Sequence, residues 1–181
     1  MKLRLKTRKL ALSGLFIALG YVLPFFTMQL PALGRMLLPM HIPALLCGFL
    51  CGAPYGLVVG FITPLLRSFI AGMPPFSTAL AMAFELAAYG CLAGLFYKLL
   101  PQKPLHVYLA LILAMLGGRI VWGLASMVIY GVEGNAFTLP MFLSGAFVNA
   151  IPGIIVQIVI IPVIVIALRR ANLMRSEEDG A

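Results

Sequence analysis

Apolar residues run along this chain in blocks of membrane length, and polar residues gather between the blocks. A helix that crosses a bilayer needs about 20 predominantly apolar residues. Six stretches approach that length: 9–26, 38–53, 55–72, 77–99, 104–130 and 139–169. The breaks between them are rich in proline and glycine, as in Gly52-Ala53-Pro54, Gly72-Met73-Pro74-Pro75 and Pro101-Gln102-Lys103-Pro104. The second stretch is short, and Pro39, Pro43, Gly48 and Gly52 within or beside it predict a broken or tilted helix. The last is long and holds Pro140, Pro152 and Pro162, which predict a tilt or kink. Strand-like alternation is missing, which argues against a membrane barrel. The pattern predicts an all-α membrane protein, a six-transmembrane-helix bundle forming one integral membrane domain over residues 1–181.

Composition agrees with the pattern. The chain is 62% hydrophobic and only 10% charged, with a mean hydropathy of +1.08, whereas soluble domains are about half apolar and a quarter charged. A net charge of +8 raises the question of nucleic acid. Most Lys and Arg, however, lie at the chain ends beside apolar segments, which is a membrane pattern. Lys2, Arg4, Lys6, Arg8 and Lys9 precede the first stretch, in the manner of a signal peptide. Tyr21, Leu23, Pro24 and Phe25 stand where a small-residue cleavage site would be, so an uncleaved first span is expected. With six spans both ends share a side. That side collects the N-terminal cluster, Lys98, Lys103, Arg169, Arg170 and Arg175, while the opposite loops hold only Arg35 and Glu133. By the positive-inside rule both termini are expected to be cytoplasmic.

Ionisable groups inside such spans cost about 2.5–3.5 kcal/mol each on insertion scales, so they are kept for one another or for a ligand. Three stand out: Arg67, Glu85 and Arg119. At 1.5 Å of rise per residue, Arg67 lies about 8 Å, Glu85 about 12 Å and Arg119 about 16 Å below the non-cytoplasmic surface, with Asn149 at about 15 Å. Helical spacing adds neighbours to each. Arg119, Trp122, Ser126 and Tyr130 form one stripe; Thr78, Met82, Glu85 and Tyr89 form another; Gly145, Asn149 and Pro152 line up on the last span. Convergence of these stripes would make a pocket with aromatic walls and a few polar groups, the form of a small-molecule site. The candidate substrate-binding residues are therefore Arg67, Glu85, Tyr89, Arg119, Trp122, Ser126 and Asn149. A bland alternative is that Glu85 and Arg119 only neutralise each other; one arginine would still be left over, favouring an anionic or strongly polar ligand. Gln157 is expected to make an interhelical hydrogen bond, and His41 and His106 to serve structural roles near span ends.

Other chemistry is thin. Cys47, Cys51 and Cys91 lie in apolar stretches without a completing ligand set, so buried packing is expected and no metal or cofactor. No paired acids or nucleophile–base set points to catalysis, and no Gly-x-x-x-x-Gly-Lys-Ser/Thr loop is present for ATP. In the first span Ala11, Gly14 and Ala18 make a small-residue stripe that would let another helix approach closely, from a partner or from the same bundle.

Taken together, the six-span layout, the basic N-terminus, that stripe, and the segments Pro39-Met40-His41-Ile42-Pro43, Gly52-Ala53-Pro54-Tyr55-Gly56, Pro64-Leu65-Leu66-Arg67 and Gly72-Met73-Pro74-Pro75 resemble the substrate-binding (S) components of energy-coupling factor (ECF) vitamin transporters. Gly118-Arg119-x-Val121-Trp122-Gly123 adds a resemblance to the pantothenate-type members. The resemblance implies a vitamin-class substrate, a coupling transmembrane subunit that docks on Ala11, Gly14 and Ala18, two ATPase subunits, and a place in the bacterial cytoplasmic membrane. Other vitamins or precursors (cobalamin, hydroxymethylpyrimidine, a queuosine precursor) and a stand-alone secondary transporter are the alternatives.

Overall fold

A computed structural model describes residues 2–27, 36–101 and 103–171. It is helical, with no strand among the described residues. The helices are α1 (Lys2–Val22), α2 (His41–Cys51), α3 (Ala53–Ala71), α4 (Phe76–Leu99), α5 (Pro104–Val132), α6 (Leu139–Leu143) and α7 (Ile151–Arg170). A 3₁₀ turn, Leu23–Thr27, continues α1, and a π-helical turn, Ser144–Val148, continues α6. Arg35 and the tail beyond Ala171 lie outside the described residues.

Among the described residues, five helical stretches are long and apolar enough to cross a membrane: Leu5–Phe26, Ala53–Ala71, Phe76–Leu99, Pro104–Val132 and Ile151–Arg170. The expected second span, 38–53, becomes the 11-residue helix α2, too short by itself for a bilayer of about 30 Å. The expected last span, 139–169, is not one kinked helix. Pro140 and Pro152 each sit in the first turn of a new helix, where the missing N–H costs nothing. Of these three prolines, Pro162 is the one inside a helix, within α7.

α4 is the centre of the bundle and packs on α2, α3 and α5. Its hold on α3 comes from two Gly-x-x-x-Gly pairs, Gly56/Gly60 and Gly90/Gly94. A Cβ on Gly90 would run into the Gly56 backbone, one on Gly60 into Leu86, and one on Gly94 into Ala53. Between helices in lipid, such backbone approach replaces the hydrophobic drive available in water. α2 is bound in the same way, since a Cβ on Gly48 would meet the Gly90 carbonyl. Gly52, at φ 98°, makes the reversal from α2 to α3, a backbone state that side-chain-bearing residues rarely adopt. The glycine seam fixes the rotation of α4. Glu85 and Tyr89 follow from it, one turn apart on the same helix and buried. α7 is the loosest large element, touching α5 and α2 only sparingly.

Candidate functional site

Arg119 on α5 donates from Nη1 to Glu85 Oε1 on α4 at 2.6 Å. Both are buried, with side chains 6% and 2% exposed. Their pairing follows from matched depth, and it offsets part of the cost of burying two charges in an apolar setting. Gly118 makes room for the third member: a Cβ there would strike the Tyr89 ring at 2.6 Å. Tyr89 therefore lies against α5, with the Arg119 guanidinium carbon 6.0 Å from its ring centroid.

A fourth member was not expected. His41, the first residue of α2, places Nε2 3.4 Å from the same Glu85 oxygen. The two form an ion pair only when the imidazole is protonated, and neither ring nitrogen makes a hydrogen bond. Its ring meets Tyr89 edge-on, centroids 5.2 Å apart. The imidazole is fully buried within the bundle. Pro39 and Pro43 around it could have been the signal: they limit α2 to a short helix whose first turn sits in the bundle interior.

The cluster holds unused hydrogen-bonding capacity. Nε and Nη2 of Arg119 are buried without a partner. These two N–H groups form one edge of the guanidinium fork, the edge that grips a carboxylate with two parallel bonds. Arg119 also borders a cavity of about 150 Å³ whose surface is apolar, walled by Tyr89, Met115, Phe147, Ile154 and Ile158 as well.

The remaining sequence candidates go elsewhere. Arg67, on α3, is buried but turns to α1: Nη1 donates to the Tyr21 carbonyl at 2.8 Å, and the guanidinium lies 4.8 Å from the Phe25 ring centroid. Trp122 stacks on Phe142 at 6.1 Å and meets Phe137 edge-on at 5.8 Å, while Tyr130 packs on Phe137. Gly145 and Gly123 admit the Trp122 and Phe142 rings. The stripe read along α5 thus divides: Arg119 joins the polar cluster and Trp122 an aromatic one. Ser126 is buried on the same helix. Asn149 is exposed and donates to Ser144 Oγ at 3.1 Å. Gln157 is fully buried, and neither amide atom makes the interhelical hydrogen bond expected of it. Cys47 and Cys51 are buried and Cys91 half-buried, all as free thiols.

On α1, Ala11, Gly14 and Ala18 face outward, and a Cβ on Gly14 would meet nothing within 4 Å. With Ile17, Tyr21, Leu66 and Ile70, Gly14 and Ala18 line an apolar groove of about 300 Å³ between α1 and α3.

A helical membrane bundle with a buried, partly satisfied arginine beside a small cavity has the organisation of a solute-binding membrane subunit. The family model for the ECF transporter, substrate-specific component, matches residues 8–165, and the chain belongs to that family. It is therefore a membrane-embedded, substrate-specific subunit of an ECF importer that associates with the energy-coupling module. No curated protein and no solved structure matched the chain.

Proposed function

We propose that this S component captures a small anionic, vitamin-class solute, with the Nε–Nη2 edge of Arg119 as its anion contact. One observation carries the reading: Arg119 keeps two buried, unpartnered donors beside a cavity while its third nitrogen is tied to Glu85. A group buried without partners costs about 1–3 kcal/mol, more when charged, so such donors are retained for something that arrives later. Tyr89 walls the site, and Glu85 with His41 behind it holds the guanidinium in place.

On the sequence resemblance pantothenate stands first among substrates, and it supplies the carboxylate that this edge requires. Cobalamin, hydroxymethylpyrimidine and a queuosine precursor carry no carboxylate and fit less well. Membership of a family that works with an energy-coupling module counts against a stand-alone carrier. The outward small-residue face of α1 is the proposed docking surface for the coupling subunit, consistent with close backbone approach. We place both termini on the cytoplasmic side of a bacterial cytoplasmic membrane, with α2 completing a six-segment bundle. Native mass spectrometry of the purified chain tests the substrate: an adduct with the mass of a small carboxylic acid is expected, and a cationic or neutral adduct would refute the anion reading.

A further inference from the structure

The polar cluster has its charges in balance before any solute arrives. Arg119 carries one positive charge and Glu85 one negative charge, and the two are bonded at 2.6 Å. An anion on the free Nε–Nη2 edge of Arg119 upsets that balance. It leaves a net negative charge among side chains that are at most 5% exposed, where an uncompensated charge is costly. His41 is placed to supply the missing positive charge. Its Nε2 lies 3.4 Å from Glu85 Oε1, and the ring is buried. A neutral imidazole keeps one nitrogen as an acceptor, and neither nitrogen of His41 has a hydrogen-bond partner. One ring lone pair is therefore free for a proton.

The neighbours of His41 leave it as the seat of that proton. Glu85 and Tyr89 face it from α4, and Arg119 reaches the same Glu85 oxygen from α5. Glu85 is the poorer acceptor, because a proton there forfeits its charge-assisted bond to Arg119. Tyr89 and Arg119 already hold their protons. α1, α3 and α7 also pack on α2, and their charged groups among the described residues lie elsewhere. The basic residues of α1 end at Lys9, over the Tyr55 ring of α3. Arg67 of α3 is on the Tyr21 carbonyl, and Arg169 and Arg170 are in the last turn of α7. On α2 itself Cys47 and Cys51 come nearly two and nearly three turns later. Resting on the anion contact proposed above, we infer that the site takes its anionic solute together with one proton. The proton passes from water to the free ring nitrogen of His41 and changes no other bond. The complex is then neutral, with Arg119 and His41 balancing Glu85 and the carboxylate of the solute.

The test titrates pantothenate into the full chain in lipid nanodiscs by calorimetry, in two buffers of different ionisation enthalpy, for wild type, His41→Gln and Arg119→Gln. At about pH 8, above the ordinary histidine value of about 6.5, wild type should take up about one proton per pantothenate, and affinity should fall about tenfold for each further pH unit. His41→Gln should take up none and lose that pH dependence. Nitrogen NMR of isotope-labelled histidine supplies a readout on wild type alone, should the variant fail to fold. The chain has two histidines, and His106, 13 residues before Arg119 on α5 and so about 20 Å away, is the internal control. Saturating pantothenate should protonate His41 and leave His106 unchanged. Arg119-dependent binding with no proton uptake, and His41 still neutral, would overturn the inference and leave the anion contact standing. Uptake that persists in His41→Gln would place the proton on Glu85 or the solute and overturn the assignment to His41. Pantothenate binding that is absent, or indifferent to Arg119→Gln, would sink the anion contact and this inference with it.

Discussion

Removing one partner of the Glu85–Arg119 pair should be far more damaging than removing both. The contact is 2.6 Å long between side chains 2% and 6% exposed, so water screens it little. Charge centres about 4 Å apart attract by about 4 kcal/mol at an effective dielectric of 20. Stranding one such charge costs about 3–5 kcal/mol. For a chain of this size, about 2–4 °C of Tm per kcal/mol turns this into a loss of about 6–20 °C. The two single variants should also differ. Arg119→Gln leaves Glu85 beside His41 Nε2 at 3.4 Å, whereas Glu85→Gln leaves Arg119 without any acidic neighbour among the described residues. Glu85→Gln should therefore be the worse of the two. The double variant should lie within about 2 kcal/mol of wild type, because no uncompensated charge remains. The assay is thermal unfolding in detergent, followed by circular dichroism, for wild type, both singles and the double. Additive losses in the double variant would show that the charges are not coupled, and the energetic account of the site would fall with them.

Further outcomes follow from the packing. Gly90→Leu should destabilise the bundle by about 1–3 kcal/mol or more, as overpacking does, because its Cβ meets the Gly56 backbone; Gly14→Ala, with open space around it, should leave the Tm unchanged in the same scan. Gly14→Leu with Ala18→Leu should abolish co-purification with the coupling subunit and ATPases while ligand affinity of the isolated chain holds. Arg67→Gln should cost about 1.5–3 kcal/mol through its bond to the Tyr21 carbonyl and speed hydrogen exchange in the last turn of α1, yet shift ligand affinity less than twofold; a large affinity loss would return Arg67 to the binding site.

What the sequence revealed and concealed has physical reasons. Span positions follow from apolar run length, which the bilayer enforces, so α3, α4 and α5 fall within a few residues of expectation. Depth along a helix is also readable, and it brought Glu85 and Arg119 to one level. Rotation about the helix axis is not readable from depth. Arg67 has a comparable depth but faces α1, and Trp122, although on the same stripe as Arg119, finds Phe142 and Phe137 first. His41 was missed because a histidine at the start of a short helix resembles an interfacial residue; its burial depends on α2 being drawn against α4 by Gly48 and Gly90, a contact between segments far apart in the chain. The prolines of the last span were read as kinks, whereas Pro140 and Pro152 start helices. Such starts are legible in principle, since proline in a first helical turn is favourable.

The most direct measurement is a structure of the purified chain with its substrate bound. The account predicts a carboxylate whose oxygens lie about 2.7–2.9 Å from Nε and Nη2 of Arg119, with Nη1 still on Glu85 and the body of the molecule against Tyr89. A substrate seated elsewhere, at Arg67 or Asn149 for example, with Nε and Nη2 of Arg119 still unpartnered, would contradict it.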